Sequence, residues 1–373
     1  MDIDDLQKIS GLDTDDMFGM VFTWPKLIEK INHQSIDIPS QISVGNKFLE
    51  YNNEISNILI CGMGGSAVSG DYIRTYFADS LNQPIIVQRN YILPKFASKK
   101  TLVIAISYSG NTEETISGIS YAIQNECPTI CIGSGGKMEN FCLGNKVPFF
   151  KIPAGFQPRA SFPLLLFPIL KILDALNITK LDDKVVQEII QNLKQMRELI
   201  RPQTPTTENQ AKQIAKKMHK RIPVIWSPYL CVANRFKCQI NENAKQLAIA
   251  EELPEFNHNH IVGFQSLVKD NPFIVICFRF PSEHANVSLR FEISKEIVKP
   301  KVELLELQIQ SGNLLVQLVT STYLGDYISI YLALLNDQNP NTVDSINFLK
   351  EQMEVRGQTQ SSLMKKLDQL SRS

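Results

Sequence analysis

At residues 58–71 the sequence reads ILICGMGGSAVSGD, an apolar run that passes directly into a cluster of glycine, serine and aspartate. The apolar run is typical of a buried strand. The bare backbone after it indicates either a tight turn or a loop whose N–H groups close on an anion. The sequence on both sides of this stretch is needed to choose between a turn and an anion-binding loop.

Apolar strands alternate with helices through the first half of the chain. The strand candidates are 57–62, 84–90, 101–110, 128–136 and 147–153, and the helix candidates are 69–81, 112–126 and 161–177. Because these strands are apolar along their whole length, we expect helices on both faces of a parallel sheet. The pattern predicts an α/β domain with a doubly wound sheet of about five strands.

The same pattern restarts in the second half, so the sequence predicts two α/β domains in tandem. Strands are predicted at 222–228, 260–264, 272–280 and 301–307, with helices at 233–248 and 313–335. We place an N-terminal helical segment at 1–50, the first domain at 51–180, a helical linker at 181–210, the second domain at 211–357 and a polar tail at 358–373.

Composition and charge exclude several classes of partner. The chain of 373 residues has 38 basic and 38 acidic side chains, so no basic surface for nucleic acid is expected. No apolar run reaches the roughly 18 residues of a membrane span, and the acidic N-terminus lacks the pattern of a signal peptide. Seven scattered cysteines indicate reduced, mostly buried thiols, and hence a cytoplasmic protein without a structural metal.

Two strand ends of the first domain carry chemistry that suits a phosphate. They are CGMGGSAVSGD at 61–71 and ISYSGNTEET at 106–115, and in open α/β sheets ligands bind beyond such carboxyl ends. Glycines let the backbone approach an anion, and hydroxyls add donors. The candidate ligand-binding residues are Gly64, Gly65, Ser66, Ser107, Ser109 and Thr112. The alternative is that the hydroxyls only cap helices. Neither loop has the pattern of a dinucleotide site or an ATP-binding P-loop.

At this point the sequence resembles a known family. SYSGNTEET after an apolar strand is similar to the sugar isomerase (SIS) domain. The set GMGGSAVSGD, QPRA at 157–160, NENAK at 241–245 and PEFNHNHIVGF at 254–264 resembles the bifunctional phosphoglucose/phosphomannose isomerases, a two-SIS-domain branch of the phosphoglucose isomerase superfamily. The resemblance covers about residues 50–352. It implies two tandem SIS domains, each a doubly wound, mainly parallel five-stranded sheet flanked by helices.

The resemblance implies a role for several further residues. Glu242 matches the family's catalytic base, His258 the ring-opening histidine, Lys350 the lysine that works with it, and Arg159 the cation that stabilises the cis-enediolate. Thr342 matches a threonine that leaves room for mannose 6-phosphate. Each residue taken alone has a plainer interpretation, such as a solvated helix glutamate or a surface lysine.

His260 departs from the family pattern. The family usually has NHNE where this chain has NHNH, so a histidine replaces a carboxylate close to His258. If His258 and His260 both lay on a strand, their side chains at i and i+2 would point the same way. A pair of metal ligands is therefore an alternative interpretation. No third ligand is evident, and the replaced group has no assigned catalytic role.

The implied activity is interconversion of glucose 6-phosphate and mannose 6-phosphate with fructose 6-phosphate through a cis-enediol. The resemblance implies no cofactor, and a homodimer in which His258 reaches the neighbouring subunit's site. The alternative is a non-catalytic sugar-phosphate sensor, which would normally carry a basic DNA-binding helix. An amino-sugar isomerase would usually bring a glutaminase domain.

Overall fold

The computed structural model describes residues 2–52, 54–268, 270–357 and 359–372. The chain divides into two compact units, which we name after their sheets. The first-sheet unit comprises Lys26–Asp183 and Val343–Ser373, and the second-sheet unit comprises Met1–Pro25 and Lys184–Thr342.

Helices and strands alternate along most of the chain. The strands are β1 Gln41–Val44, β2 Lys47–Glu50, β3 Asn57–Cys61, β4 Ile85–Gln88, β5 Thr101–Ile106, β6 Thr129–Gly133, β7 Phe149–Lys151, β8 Ile222–Ser227, β9 Ile249–Glu252, β10 Phe273–Arg279 and β11 Glu303–Gln308. The helices are α1 Leu6–Leu12, α2 Met17–Phe22, α3 Trp24–Asn32, α4 Gly64–Tyr76, α5 Glu113–Gln124, α6 Gly136–Asn145, α7 Phe162–Ala175, α8 Asp183–Ile200, α9 Gln210–Met218, α10 Leu230–Ala244, α11 His260–Gly263, α12 Ala285–Val298, α13 Leu314–Leu335, α14 Asp344–Gly357 and α15 Thr359–Arg372. Three short 3₁₀ turns span Pro158–Ala160, Glu255–His258 and Phe264–Ser266.

The first-sheet unit has the predicted five-stranded parallel sheet, in the order β4-β3-β5-β6-β7. Strands β3, β5 and β6 are buried along almost their whole length. Apolar side chains on both faces of a strand require helices on both faces of the sheet, which explains the continuous apolar runs in the sequence. The α/β, doubly wound fold class is confirmed.

The N-terminal segment differs from the prediction of helix alone. Three helices cover Leu6–Asn32, but residues 41–50 form an antiparallel hairpin of β1 and β2. Alternate residues Ile42, Val44 and Leu49 are buried while their neighbours face outward, which is the period of a half-buried strand. The turn between the strands contains Gly45 at a φ of 59°. This alternation is the signal that the prediction missed.

The second-sheet unit has four parallel strands in its described residues, in the order β11-β10-β8-β9, where five were predicted. One predicted element is wrong there, because residues 260–264 lie in the short helix α11 and the 3₁₀ turn after it instead of a strand. The predicted helix 233–248 is present as α10, but it ends at Ala244 and is followed by β9, which was not predicted. A short apolar run has no decisive period, so the sequence could not separate these states.

Helix α13 forms the core of the second-sheet unit. It is long and apolar enough to cross a bilayer, yet all of its apolar stretch is buried inside the chain. Helix α13 packs against α10 and α9. Elsewhere in the same unit, Trp226 of β8 packs on Phe256 with ring centroids 4.4 Å apart. A helix that is apolar on all sides and covered on all sides is the core helix of its unit.

Candidate active site

The carboxyl ends of β3 and β5 meet at one edge of the first sheet. Cys61 pairs with Ala105 in parallel register, and the chain leaves β3 toward one side of the sheet and β5 toward the other. This is the point in a doubly wound sheet where a crevice opens. The two sequence loops at 61–66 and 107–112 therefore lie side by side, as predicted.

Helix α4 begins with the glycines of this edge, five residues earlier than the prediction of 69–81. Gly64 has a φ of 51°, and a Cβ there would point into open space. Met63 precedes the helix and provides no side-chain cap. The first-turn N–H groups of a helix have no partner within it, so Gly64 and Gly65 present donors at the sheet edge. Ser66, in the same turn, is buried.

The hydroxyls of the second loop face one another. Ser107 Oγ and Thr112 Oγ1 lie 2.8 Å apart, and Thr112 N–H donates weakly to Ser107 Oγ at 3.4 Å. Thr112 precedes α5 without capping it, so the helix-capping alternative does not describe this residue. A hydrogen bond between two hydroxyls uses only one of their two protons. The other proton remains for a ligand. Ser109 Oγ accepts from the N–H of Asn111 at 3.3 Å.

Gly110 locks this loop to the one that follows β6. Its φ is 68°, and a Cβ there would lie 1.8 Å from the carbonyl oxygen of Gly135. The carbonyl of Gly110 accepts from Met138 N–H at 3.0 Å, and the side-chain oxygen of Asn111 accepts from Lys137 N–H at 3.1 Å. Only glycine fits this position, because any side chain would collide with backbone.

Tyr108 connects the hydroxyl loop to the segment that carries Arg159. Its hydroxyl accepts from Phe156 N–H at 2.8 Å and donates to the carbonyl of Pro153 at 3.2 Å. Arg159 lies in the next 3₁₀ turn, is buried, and its turn packs against α4. Tyr108 lies within the SYSGNT motif, but nothing in the sequence pattern predicts this role for it. Its role becomes visible only when residues 45 apart in sequence meet.

Asp71 and Arg89 form an ion pair beside the glycine turn. The carboxylate of Asp71, on α4, accepts from the guanidinium of Arg89, which follows β4, and lies 3.5 Å from Arg74. Gly62 N–H donates to the carbonyl of Gln88 at 3.2 Å, so the end of β4 adjoins the glycine turn. The pair fixes α4 against this strand end.

Lys350 lies on α14, which belongs to the same unit. The residue is exposed, and no residue of α14 is buried. Thr342 is the last residue of the other unit, exposed, with its hydroxyl donating to the carbonyl of Asn339 at a long 3.4 Å. Neither side chain is fixed by its surroundings as the loop residues are.

Glu242 lies in the last turn of α10 in the second-sheet unit. It is half-buried, and its neighbour Asn243 is fully buried and donates to Ser329 Oγ at 2.9 Å. Two turns before Glu242 on the same helix, Arg235 donates to Asp326 of α13 at 2.7 Å in the interior. Burial raises the pKa of Asp326 and the charge of Glu242 acts in the same direction, while Arg235 opposes both. A buried polar network therefore stabilises the end of the helix on which Glu242 lies.

Asp326 is a functional-site neighbour that the sequence-based prediction did not include, although the sequence carries a signal for it. It is the one charged residue within the apolar stretch LLVQLVTSTYLGDYISIYLALL. A charge in a fully buried helix requires a partner, and Arg235 supplies it. The sequence alone could not show that this partner lies two turns before Glu242.

His258 ends the 3₁₀ turn Glu255–His258 in the second-sheet unit and is exposed. Its imidazole makes no hydrogen bond within the part of the chain that the structure describes. His260 begins α11, so the two histidines do not share a strand face as the metal-pair alternative required. Instead, His260 Nδ1 lies 2.5 Å from Glu251 Oε1. Across the described residues, no three His, Cys, Asp or Glu side chains are grouped as metal ligands.

The structure therefore brings some predicted residues together and leaves others apart. Six of them, namely Gly64, Gly65, Ser66, Ser107, Ser109 and Thr112, form one cluster at the edge of the first sheet, which we call the hydroxyl cradle. Arg159 and Lys350 belong to the same unit as the cradle, whereas Glu242, His258 and Thr342 belong to the second-sheet unit.

Comparison with known proteins gives consistent results for both halves. Residues 53–137 match the SIS domain, and residues 207–353 match the bacterial phospho-glucose isomerase C-terminal SIS domain. The chain is 34% identical over 342 residues to the bifunctional phosphoglucose/phosphomannose isomerase of Caldicellulosiruptor bescii, covering 90% of this chain and 98% of that protein. The protein of the same description from Aquifex aeolicus is 33% identical over 300 residues, covering 79% and 90%. A glucose-6-phosphate isomerase like protein from Thermus thermophilus shares the fold, with a TM-score of 0.60 at 17% identity over 94% of this chain and 99% of that one.

Proposed function

Because this chain belongs to the family of bifunctional phosphoglucose/phosphomannose isomerases, we propose that it interconverts glucose 6-phosphate and mannose 6-phosphate with fructose 6-phosphate. The observation that carries the proposal is the hydroxyl cradle. Two helices begin there without side-chain caps, and serine and threonine hydroxyls lie beside their N–H groups. Such a site binds a phosphate dianion through neutral donors and the positive ends of the helices.

The proposed reaction moves one proton between two carbons. His258 and Lys350 open the sugar ring by exchanging protons with the ring oxygen and the anomeric hydroxyl. The carboxylate of Glu242 then takes the proton from C2, which leaves a cis-enediolate with its negative charge on O1. The proton of the O2 hydroxyl passes to O1, and Glu242 returns its own proton to C1, which gives the ketose. Arg159 stabilises the negative charge that develops on the enediolate oxygens.

Two structural features support these roles. Arg159 is buried in the unit that contains the cradle, and a buried guanidinium keeps its charge at any working pH. Glu242 is half-buried at the end of a helix that an internal network stabilises. A general base needs a fixed position more than an unusual pKa. Turnover of both C2 epimers further requires rotation about C2–C3 of the enediol, and we assign the space for it to the side of Thr342.

We further propose that the protein is a homodimer in which His258 acts in the neighbouring subunit's site. His258 is exposed, and its imidazole has no hydrogen-bond partner among the described residues. The adjoining helix α12 carries an exposed apolar stripe of Leu289, Ile293 and Ile297, spaced one turn apart. A surface of this kind is typical of a protein–protein interface. No cofactor enters the proposed reaction, because the carbonyl group already acidifies the neighbouring C–H bond.

We place the enzyme in the cytoplasm on the state of its thiols. All seven cysteines are unbridged, and six of them are buried. Burial raises the pKa of Cys61 and of Cys127 to about 12, so both remain protonated and unreactive at neutral pH. Seven cysteines that form no disulfide fit a reducing compartment.

The first experiment is a coupled assay for fructose 6-phosphate with glucose 6-phosphate and mannose 6-phosphate in parallel. We expect turnover of both sugars by the wild type and a loss of about 100-fold to 10,000-fold in Glu242→Gln, because the amide cannot accept the C2 proton. Glu208→Gln, at an exposed glutamate before α9, is the matched control. Tight binding of both sugar phosphates without turnover by the wild type would contradict the proposal and indicate a sugar-phosphate sensor.

A further inference from the structure

The segment that carries His258 is attached to its unit at several points. We call residues 253–267 the histidine segment. Its start is fixed by Leu253 N–H, which donates to the carbonyl of Ser227 at 3.1 Å. Asn257 then donates through its side chain to Ser294 Oγ of α12 at 2.6 Å. Phe256 is fully buried. The anchors before His258 are therefore a backbone hydrogen bond, a side-chain hydrogen bond and a core aromatic ring.

Beyond His258, the side chain of His260 is attached in a different way, by a hydrogen bond near the surface. His260 Nδ1 lies 2.5 Å from Glu251 Oε1, at the end of β9, and both side chains are about a quarter exposed, at 26% and 24%. The imidazole stacks on Phe264 at 5.7 Å with the rings 29° apart, and it lies 5.5 Å from the ring of Phe256. His260 is therefore fixed in two directions, by a carboxylate at its edge and by aromatic rings at its faces.

A cavity beside His260 increases the importance of its hydrogen bond to Glu251. A cavity of about 110 Å³ is lined by His260 and by the apolar residues Val224, Ile249, Phe264, Leu267 and Phe273, together with Gly263. Because one side of the ring borders this cavity, packing does not enclose the imidazole of His260 completely, although the nearby Phe264 is buried. The hydrogen bond to Glu251 adds a constraint on the imidazole that packing does not supply. His258 lies only two residues before this anchor and has no hydrogen bond of its own among the described residues.

We infer that His260, paired with Glu251, is a positioning residue that holds His258 in the orientation needed for ring opening. The inference rests on the proposed function, because it concerns the ring-opening role of His258. His260 itself contacts no substrate in this proposal. It acts by limiting the motion of the histidine segment, and a misplacement of about 1 Å in a catalytic group can cost about 100-fold in rate.

The test separates ring opening from proton transfer between carbons. Exchange between the α and β anomers of glucose 6-phosphate requires ring opening only, whereas exchange of the C2 proton with solvent deuterium requires the base as well. Both rates are measured by NMR on the full-length protein, above the rate without enzyme and per folded molecule as judged by circular dichroism. Binding of fructose 6-phosphate is measured by calorimetry.

For His260→Ala we expect anomer exchange to fall about tenfold to 100-fold, with the dissociation constant for fructose 6-phosphate changed less than about twofold. Glu251→Gln keeps the shape of the side chain and removes the charge, so it should fold normally and lower anomer exchange by a smaller factor. Combining Glu251→His with His260→Glu rebuilds the pair in reverse and should restore most of the rate. Because the rates are taken per folded molecule and binding is measured separately, a loss of stability alone would not lower anomer exchange in the single variants.

His219→Ala is the control. His219 is a half-buried histidine of the same unit that lies just before β8. It is therefore at the amino end of the parallel strands, whereas Glu251 lies near the carboxyl end of β9. Anomer exchange that is unchanged in His260→Ala and in Glu251→Gln, but slowed in His258→Asn, would overturn the inference and leave the proposed function standing. Anomer exchange that is unchanged in His258→Asn as well would refute the ring-opening role and the inference with it. Loss of C2 exchange in Glu242→Gln reports on the proposed base independently.

Discussion

The strongest prediction for the first-sheet unit concerns a single oxygen atom. Tyr108→Phe removes the hydroxyl that joins the hydroxyl cradle to the segment before Arg159, and it leaves the ring in place. Two hydrogen bonds disappear, one from Phe156 N–H at 2.8 Å and one to the carbonyl of Pro153 at 3.2 Å. Tyr108 itself is buried, whereas Phe156 and Pro153 are partly exposed.

The magnitude follows from these two bonds. Each contributes about 0.5–1.5 kcal/mol net, and a group left unpaired in the interior costs about 1–3 kcal/mol. Because water can reach the freed backbone groups in part, we expect the free energy of unfolding to fall by about 1–2 kcal/mol. The segment that positions Arg159 also becomes less constrained. We therefore expect kcat to fall about tenfold while KM changes little, since the enediolate forms only after binding.

Two measurements check this prediction. Urea denaturation gives the change in stability, and the coupled assay on both sugar phosphates separates kcat from KM. Tyr121→Phe is the control, because Tyr121 is a half-buried tyrosine of α5 in the same unit. A Tyr108→Phe protein that loses stability but keeps its full kcat would refute the connection to Arg159. One that loses neither would refute the structural role as well.

Three further perturbations have expected outcomes in other parts of the chain. Gly110→Ala should abolish sugar-phosphate binding or soluble expression, because its Cβ would lie 1.8 Å from a carbonyl oxygen; calorimetry and gel filtration test this. Asp326→Ala should lower the free energy of unfolding by about 3–5 kcal/mol in urea denaturation, because it removes one partner of a buried ion pair and leaves the Arg235 guanidinium in the interior without that carboxylate. For Asp4→Asn, we expect the free energy of unfolding, measured between pH 2 and about pH 5, to depend less steeply on pH than in the wild type. Burial raises the pKa of Asp4, but hydrogen bonds from Lys212 and Thr206 outweigh burial and hold this pKa below its ordinary 3.8. The ionised carboxylate therefore contributes fully to the free energy of unfolding above pH 3.8. That contribution is lost as the pH falls through the lower pKa of the folded state.

The first half of the fold was predictable because two periodic signals agree there. Continuous apolar strands and the glycine, serine and threonine clusters after them both point to one sheet edge, and the structure places those clusters side by side. The start of α4 was misjudged because glycines and serines are poor helix formers. At Gly64 the backbone enters a helix whose stability comes from burial of the residues that follow, from Ser66 to Ile73.

The histidine segment could not be predicted in the same way. Its apolar residues were assigned to a strand, but Phe256 and Phe264 are fixed by Trp226 of β8, with ring centroids 4.4 Å and 6.0 Å from it. Contacts between residues some thirty positions apart decide this local structure. The pairing of His260 with Glu251 was missed for the same reason, since β9 begins just after the predicted helix 233–248 and was not predicted. Local pattern cannot show an element that tertiary packing creates.

The carboxyl edges of the two sheets differ in whether the chain already uses their donors. In the second-sheet unit, the first N–H of α10, at Leu230, donates to the carboxylate of Glu252 at 3.1 Å. Arg279, at the end of β10, is buried against Glu283, Glu292 and Glu306. A phosphate entering there would meet occupied donors and negative charge.

The corresponding helices of the first-sheet unit begin without side-chain caps, and the hydroxyls of Ser107 and Thr112 bond chiefly to each other. An anion entering the hydroxyl cradle therefore displaces no carboxylate of the chain. This difference favours the hydroxyl cradle over the carboxyl edge of the second sheet as the place where the phosphate of the proposed substrate binds. Under the proposed function, the second-sheet unit would instead contribute the carboxylate of Glu242 and the imidazole of His258.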